Sequence, residues 1–209
     1  MKKVTKKLVA LALALAIAVT PAMEVSAKQT IGVSWLSSNL KEATFQLIRT
    51  GSNYTEVRVM NYKGKVVSTA TGLSLPTVKG LKKKTAYTAQ FCELDDNDTQ
   101  ITDWSKKVGF ITFEKFNIKM AKGKMAARLK LPKIKGVKKY EVAISKKRDK
   151  GFKKIKNGKP GKTLTIKKFK GKAMKYYVNY YLKITPKVKG AKYNTPVITG
   201  FYFTKRYTF

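Results

Sequence analysis

The sequence predicts an all-β chain made of two similar sandwiches in tandem. Three observations predict it. Short stretches with apolar residues at every second position follow one another, separated by Gly- and Lys-rich turns. No long stretch after residue 27 keeps helical spacing. One signal also occurs twice. Val78-Lys79-Gly80-Leu81, a basic turn and Tyr87 are followed, 88 positions on (78 to 166), by Ile166-Lys167-Lys168-Phe169, a basic turn and Tyr176. A leucine, a polar turn and a tyrosine six positions on is how one strand hands over to the next across a sandwich. The tyrosine opens the new strand and its hydroxyl caps the turn behind it. Tyr87 and Tyr176 are therefore assigned as the two corner tyrosines.

Residues 1–27 read as a cleavable signal peptide. Lys2, Lys3, Lys6 and Lys7 form a basic start, Leu8 to Val19 is an unbroken apolar run, and Val25-Ser26-Ala27 fits a small-residue cleavage site. The run is shorter than the ~20 residues of a membrane span. The mature chain is then exported and carries no span. The repeat divides it into residues 28–113 and 114–209, each long enough for seven strands.

In the first half, Ile31, Val33 and Trp35 give the first strand, Phe45 and Leu47 the second, and Val57 and Val59 the third. Asn61-Tyr62-Lys63-Gly64 turns the chain into Val66-Val67. Val78 and Leu81 mark the fifth strand; Tyr87, Ala89 and Phe91 the sixth; Val108, Phe110 and Thr112 the seventh. The second half repeats the order. Met125 to Leu131 comes first, then Tyr140, Val142 and Ile144, then Leu164, Ile166 and Phe169. Five alternate apolar positions follow, Tyr176, Val178, Tyr180, Leu182 and Ile184, and Val197 to Phe209 closes the set. Such strand counts describe immunoglobulin-like sandwiches.

Both halves resemble fibronectin type III domains, in particular the lysine-rich kind of exported bacterial proteins. The resemblance rests on Val78-Lys79-Gly80-Leu81, Thr85 and Tyr87 in the first half. In the second it rests on Tyr140-Glu141-Val142, Ser145, Phe152-Lys153-Lys154, Leu164-Thr165-Ile166 and Tyr176-Tyr177-Val178. Phe45 and Leu129 stand where the family usually has a tryptophan, with Trp35 the alternative under another register. The resemblance implies an architectural or adhesive module. The Arg-Gly-Asp tripeptide of some members is absent, so no functional residue carries over.

The chain has no histidine and one cysteine. That removes Ser-His-Asp and Cys-His catalysis, the usual zinc sites, and any internal disulfide. No catalytic set, metal site or cofactor is expected. The cluster Glu93-Leu94-Asp95-Asp96-Asn97-Asp98 reads as an Asp/Asn turn between the sixth and seventh strands; the alternatives are a Ca²⁺ site, without the spacing of an EF-hand loop, and a contact with the basic second half. Cys92 reads as a small strand residue.

Charge is what remains. Residues 28–113 carry 12 basic and 7 acidic side chains, a net +5, and residues 114–209 carry 30 and 3, a net +27. Such a surface attracts polyanions and exceeds what solubility needs; the alternative is a compositional lysine bias that keeps edge strands soluble and unpaired. The candidate polyanion-binding residues are Lys146, Lys147, Arg148, Lys153, Lys154, Lys167 and Lys168. Only three of the thirty basic residues are arginine, which favours loose electrostatic attachment over two-pronged recognition. Tyr177 and Tyr181, with Tyr193, Tyr202 and Tyr207, are a candidate aromatic platform. The expected partners are anionic envelope polymers or acidic polysaccharide, and other surface proteins. Alternatives are an accessory module of an exported enzyme, or an exported cation acting on nucleic acid or anionic membranes; sequence-specific nucleic-acid reading is not expected.

Overall fold

The computed structural model describes residues 32–48, 53–121 and 125–205, and residues 1–27, read from sequence as a signal peptide, lie outside them. Among the described residues every element is a strand.

The first seven strands are β1 (Gly32–Ser38), β2 (Ala43–Ile48), β3 (Tyr54–Asn61), β4 (Val66–Gly72), β5 (Thr77–Val78), β6 (Thr85–Leu94) and β7 (Val108–Thr112). β1-β2-β5 form one sheet and β7-β6-β3-β4 the opposing one. Alternation puts Val57 and Val59 from β3, and Tyr87, Ala89 and Phe91 from β6, into the layer between them. Phe45 of β2 sits at the centre, edge-on to Phe91 and Phe110 at 5.3 and 5.6 Å. The register of β1 against β2 shifts between Val33 and Trp35. This bulge breaks the expected Val33/Trp35 alternation, and Leu36 packs against the core.

The second half contributes β8 (Ile118–Met120), β9 (Ala127–Lys130), β10 (Val137–Ser145), β11 (Lys153–Gly158), β12 (Thr163–Ile166), β13 (Lys168–Phe169), β14 (Lys172–Ala173), β15 (Tyr180–Val188), β16 (Tyr193–Asn194) and β17 (Val197–Phe201). β12-β9-β8 face β11-β10-β15-β17. This is the strand order of the first half again. The match extends to single residues: Ala43 pairs with Val78 as Ala127 pairs with Ile166. Two positions on, Phe45 and Leu129 are both fully buried.

One corner differs from the sequence reading. The Tyr87 hydroxyl accepts the Lys82 N–H at 2.8 Å. In the second half the hydroxyl that accepts is that of Tyr180, from the Lys175 N–H at 2.9 Å. Tyr176 is 40% exposed, whereas Tyr180 is 1% exposed. The rest of the motif moves with it. Six positions before each tyrosine stands a buried apolar residue, Leu81 or Met174, and three before it a residue with positive φ, Lys84 (49°) or Tyr177 (56°). The cause is an insertion. Val78 and Tyr87 are nine positions apart; Ile166 and Tyr180 are fourteen. The added length is the β13–β14 hairpin, whose turn Lys170-Gly171 has positive φ at both residues (50° and 78°), as a primed two-residue turn requires. Phe169, expected to match Leu81, belongs to this hairpin. The long alternation accordingly starts at Tyr180 and runs inward at every second residue to Val188.

The two sandwiches share an interface made of main chain and apolar side chains. β16 pairs in parallel with β7. Lys192 and Tyr193 donate their N–H groups to Lys107 O at 2.9 and 3.2 Å, and Thr195 donates to Gly109 O at 2.8 Å. At the other end of β6 the Ala86 N–H donates to Lys135 O at 3.0 Å. Ala86 and Ile111 are buried in the apolar cluster of the second sandwich. Gly109 is required here: a Cβ would sit 2.7–2.8 Å from Ala191, Asn194 and Val188.

Candidate functional site

Lysines converge in a groove at one end of the second sandwich. The loop between β10 and β11 forms one wall. Buried Ser145 pins it: its Oγ donates to Lys150 O at 2.6 Å and accepts the Lys147 N–H at 3.0 Å. The β13–β14 hairpin and the turn before β15 form the other wall. The hollow measures about 550 Å³, and Lys146, Lys147, Lys150, Lys170, Lys172 and Lys175 line it. Phe169 and Tyr180 lie at its base with ring centroids 5.8 Å apart. The Lys146 and Lys170 ammonium groups stand 5.6 and 5.7 Å from the Phe169 ring. That is a cation–π arrangement, which holds both charges near the groove mouth. No carboxylate lines the hollow.

Of the residues named from sequence, the structure brings Lys146 and Lys147 into this groove. Arg148 is in the same loop but does not line it, and Lys167 and Lys168 lie outside the lining. Lys153 and Lys154 are on β11. Lys154 lines a separate hollow of about 400 Å³ with Lys183, Lys187 and Lys192. In that hollow Lys187 is paired to Glu141 at 3.1 Å. Burial lowers the Lys183 pKa from its ordinary value. Sequence reasoning missed Lys150, Lys170, Lys172 and Lys175. The Lys170-Gly171 dipeptide, a two-residue turn flanked by short strands, was the signal that would have placed two of them.

The aromatic platform is not assembled as expected. Tyr177 is in the corner turn, 61% exposed, with its ring 6.3 Å from that of Tyr176. Tyr181 is half-buried on β15, and its ring covers Gly200. Tyr193 is taken up by the pairing of β16 with β7, and Tyr207 lies outside the described residues. The acidic cluster forms a turn in which Asp95 Oδ1 accepts the N–H groups of Asn97 and Thr99 at 2.9 and 2.8 Å. Among the described residues no group of three or more His, Cys, Asp or Glu is placed to hold a metal. No described helix is long and apolar enough to cross a membrane.

No family model and no curated protein matches the chain. Solved structures do. A two-domain fibronectin type III segment of chicken tenascin aligns with 83% of this chain and 97% of its own, at 11% identity and a TM-score of 0.33. The first three fibronectin domains of chicken CNTN1 align with 83% of this chain and 64% of their own, at 11% identity and a TM-score of 0.32. A cytokine receptor complex aligns with 82% and 95%, at 10% identity and a TM-score of 0.38. The strand order of both sandwiches and the two corner hydroxyls decide the fold independently of these likenesses. The chain folds as two tandem sandwiches with the strand order of fibronectin type III domains.

Proposed function

We propose that this protein is an exported binding and spacer module that attaches to anionic envelope polymers or acidic polysaccharide through its second domain. The observation that carries the reading is the groove lined by six lysines and no carboxylate. Unpaired like charges around one hollow repel one another, and a chain of closely spaced anions relieves the repulsion while releasing its own counterions. Lysine gives point charges on flexible stems, which suits a polymer gripped at many weak points. Export rests on the targeting pattern of residues 1–27.

Chromatography on immobilised heparin tests the reading. The protein is expected to stay bound well above ~0.1 M salt, because many simultaneous contacts survive modest screening. Alanine at Lys146, Lys147, Lys150 and Lys172 should bring elution to markedly lower salt than alanine at four exposed lysines outside the groove, Lys65, Lys79, Lys115 and Lys119. Elution of the unaltered protein below ~0.1 M, or equal effects of the two quadruple variants, would overturn the assignment.

A further inference from the structure

We infer that the junction between the two domains forms a second, composite polyanion site, distinct from the groove in the second domain. Around a hollow of about 740 Å³, Lys63, Lys82, Lys83 and Lys84 of the first domain meet Lys133 and Lys135 of the second. All six are exposed. No carboxylate lines the hollow. The seven acidic residues of the less basic half all lie elsewhere. The charged groups of the lining are therefore all positive, although residues 28–113 are only +5.

The main chain fixes each lysine-bearing segment. Asn61 Oδ1 accepts the N–H groups of Lys63 and Lys65 at 2.9 and 3.2 Å, closing the turn that carries Lys63. The Tyr87 hydroxyl and Thr112 hold Lys82 to Lys84: the Lys82 N–H reaches the phenol at 2.8 Å, and the Thr112 hydroxyl donates to Lys82 O at 2.6 Å. The Ala86 N–H donates to Lys135 O at 3.0 Å. Gly136, with φ +88° and no room for a Cβ beside Tyr62, seals the contact between the domains. Leu81, Val67 and Tyr62 line the hollow with apolar surface, and low-dielectric walls concentrate the field of the charges around them. A site of this kind binds without first ordering its backbone, which saves affinity that a mobile loop would lose. It takes a linear chain of closely spaced anions, of either sulfated or phosphorylated type. The first domain supplies four of the charges and the second two, so the site exists only in the docked tandem.

The test measures binding of the whole protein to a heparin decasaccharide, and separately to inorganic polyphosphate, across a salt series. Alanine at Lys63, Lys83, Lys133 and Lys135 should lower the slope of log affinity against log salt by about 3, at 0.7–0.9 per lost contact. Alanine at Lys65, Lys79, Lys115 and Lys119 removes the same net charge and should lower it by less than about 1. The two ligands decide between sulfated and phosphorylated sources. Equal slopes for the two quadruple variants would overturn the junction site, with melting temperatures confirming that both fold. The second-domain groove remains intact in both variants. Loss on alanine at Lys146, Lys147, Lys150 and Lys172 alone would leave the proposed function standing and remove only the junction site; loss in the junction variant alone would do the reverse.

Discussion

Replacing Tyr180 by Phe is the sharpest test of how the second domain is pinned. The ring contacts survive the change: Phe169 and Phe201 lie 5.8 and 5.7 Å from the Tyr180 ring, and both pack on the ring itself. What is lost is the acceptor for the Lys175 N–H, 2.9 Å away at the base of the corner. The bond joins exposed Lys175 to buried Tyr180, so water replaces part of it when the hydroxyl is removed. The loss should be near the ~1 kcal/mol of an ordinary hydrogen bond, with no cavity to add. A molecule of this size melting as one unit should then lose roughly 2–4 °C. Tyr176→Phe removes a hydroxyl from a side chain that is 40% exposed, and should fall within about 0.5 kcal/mol of the parent. Urea unfolding followed by circular dichroism measures both, with an unchanged slope showing that compactness is unaltered. Equal losses for the two variants, or a larger loss for Tyr176→Phe, would refute the placement of the corner and the five-residue insertion that explains it.

Two other expectations come from the interior and from the interface. Gly109→Ala places a Cβ within 2.8 Å of Ala191, Asn194 and Val188. It should cost about 1–3 kcal/mol and raise hydrogen exchange at the amides of Tyr193 and Thr195; unchanged exchange there would contradict the docking described. The buried Cys92 thiol has its pKa pushed up from 9.0 to about 11, first by burial and then by Glu56, with Arg58 opposing. Its folded value lies above its unfolded one, so its contribution to stability is full below pH 9 and is lost as pH rises toward 11. Cys92→Ala should flatten that segment of the stability profile, and the native thiol should resist alkylation at pH 8 until urea is added; ready alkylation of the folded protein would count against it.

Strand positions were legible because both sheets of each sandwich are half-buried, and period-two alternation survives wherever one face meets a core. Val57 and Val59, Tyr140 to Ile144, and Tyr87 to Phe91 all read directly. The second corner did not. Tyr176, Val178 and Tyr180 continue the same alternation as Leu182 and Ile184, so periodicity places no boundary among them. The boundary is set by backbone conformation, with positive φ at Tyr177, which side-chain hydrophobicity does not encode. The short strands β8, β13, β14 and β16 escaped for a related reason: two or three residues make too little pattern to count. For the candidate site, the richness in lysine was visible but the selection was not. Lys167 and Lys168 are as clustered in sequence as Lys146 and Lys147, and only the hairpin geometry decides which of them face a shared hollow.

The docking of the domains explains how a half with a net charge of +27 is tolerated beside another positive one. The contact avoids charge. It is made by parallel main-chain pairing between β16 and β7, by Ala86 and Ile111 entering the neighbouring core, and by two glycines that let the backbones approach. β16 also covers the β7 edge of the first sandwich, which would otherwise offer an unpaired strand to a second chain. The lysines are left for the outer surface and for the rims of the hollows, where water and salt screen them until an anion arrives. Because the carriers of both groove sets belong to one docked unit, a polymer held at one groove is presented to the other at a fixed distance. The second contact then costs no linker entropy, so affinity for a long polyanion should exceed what either groove achieves with a short one. A spacer with flexibly hinged domains would have to order that hinge for each polymer bound. This chain has placed the ordering cost in its own folding, in the pairing of Tyr193 and Asn194 with Val108 and Gly109.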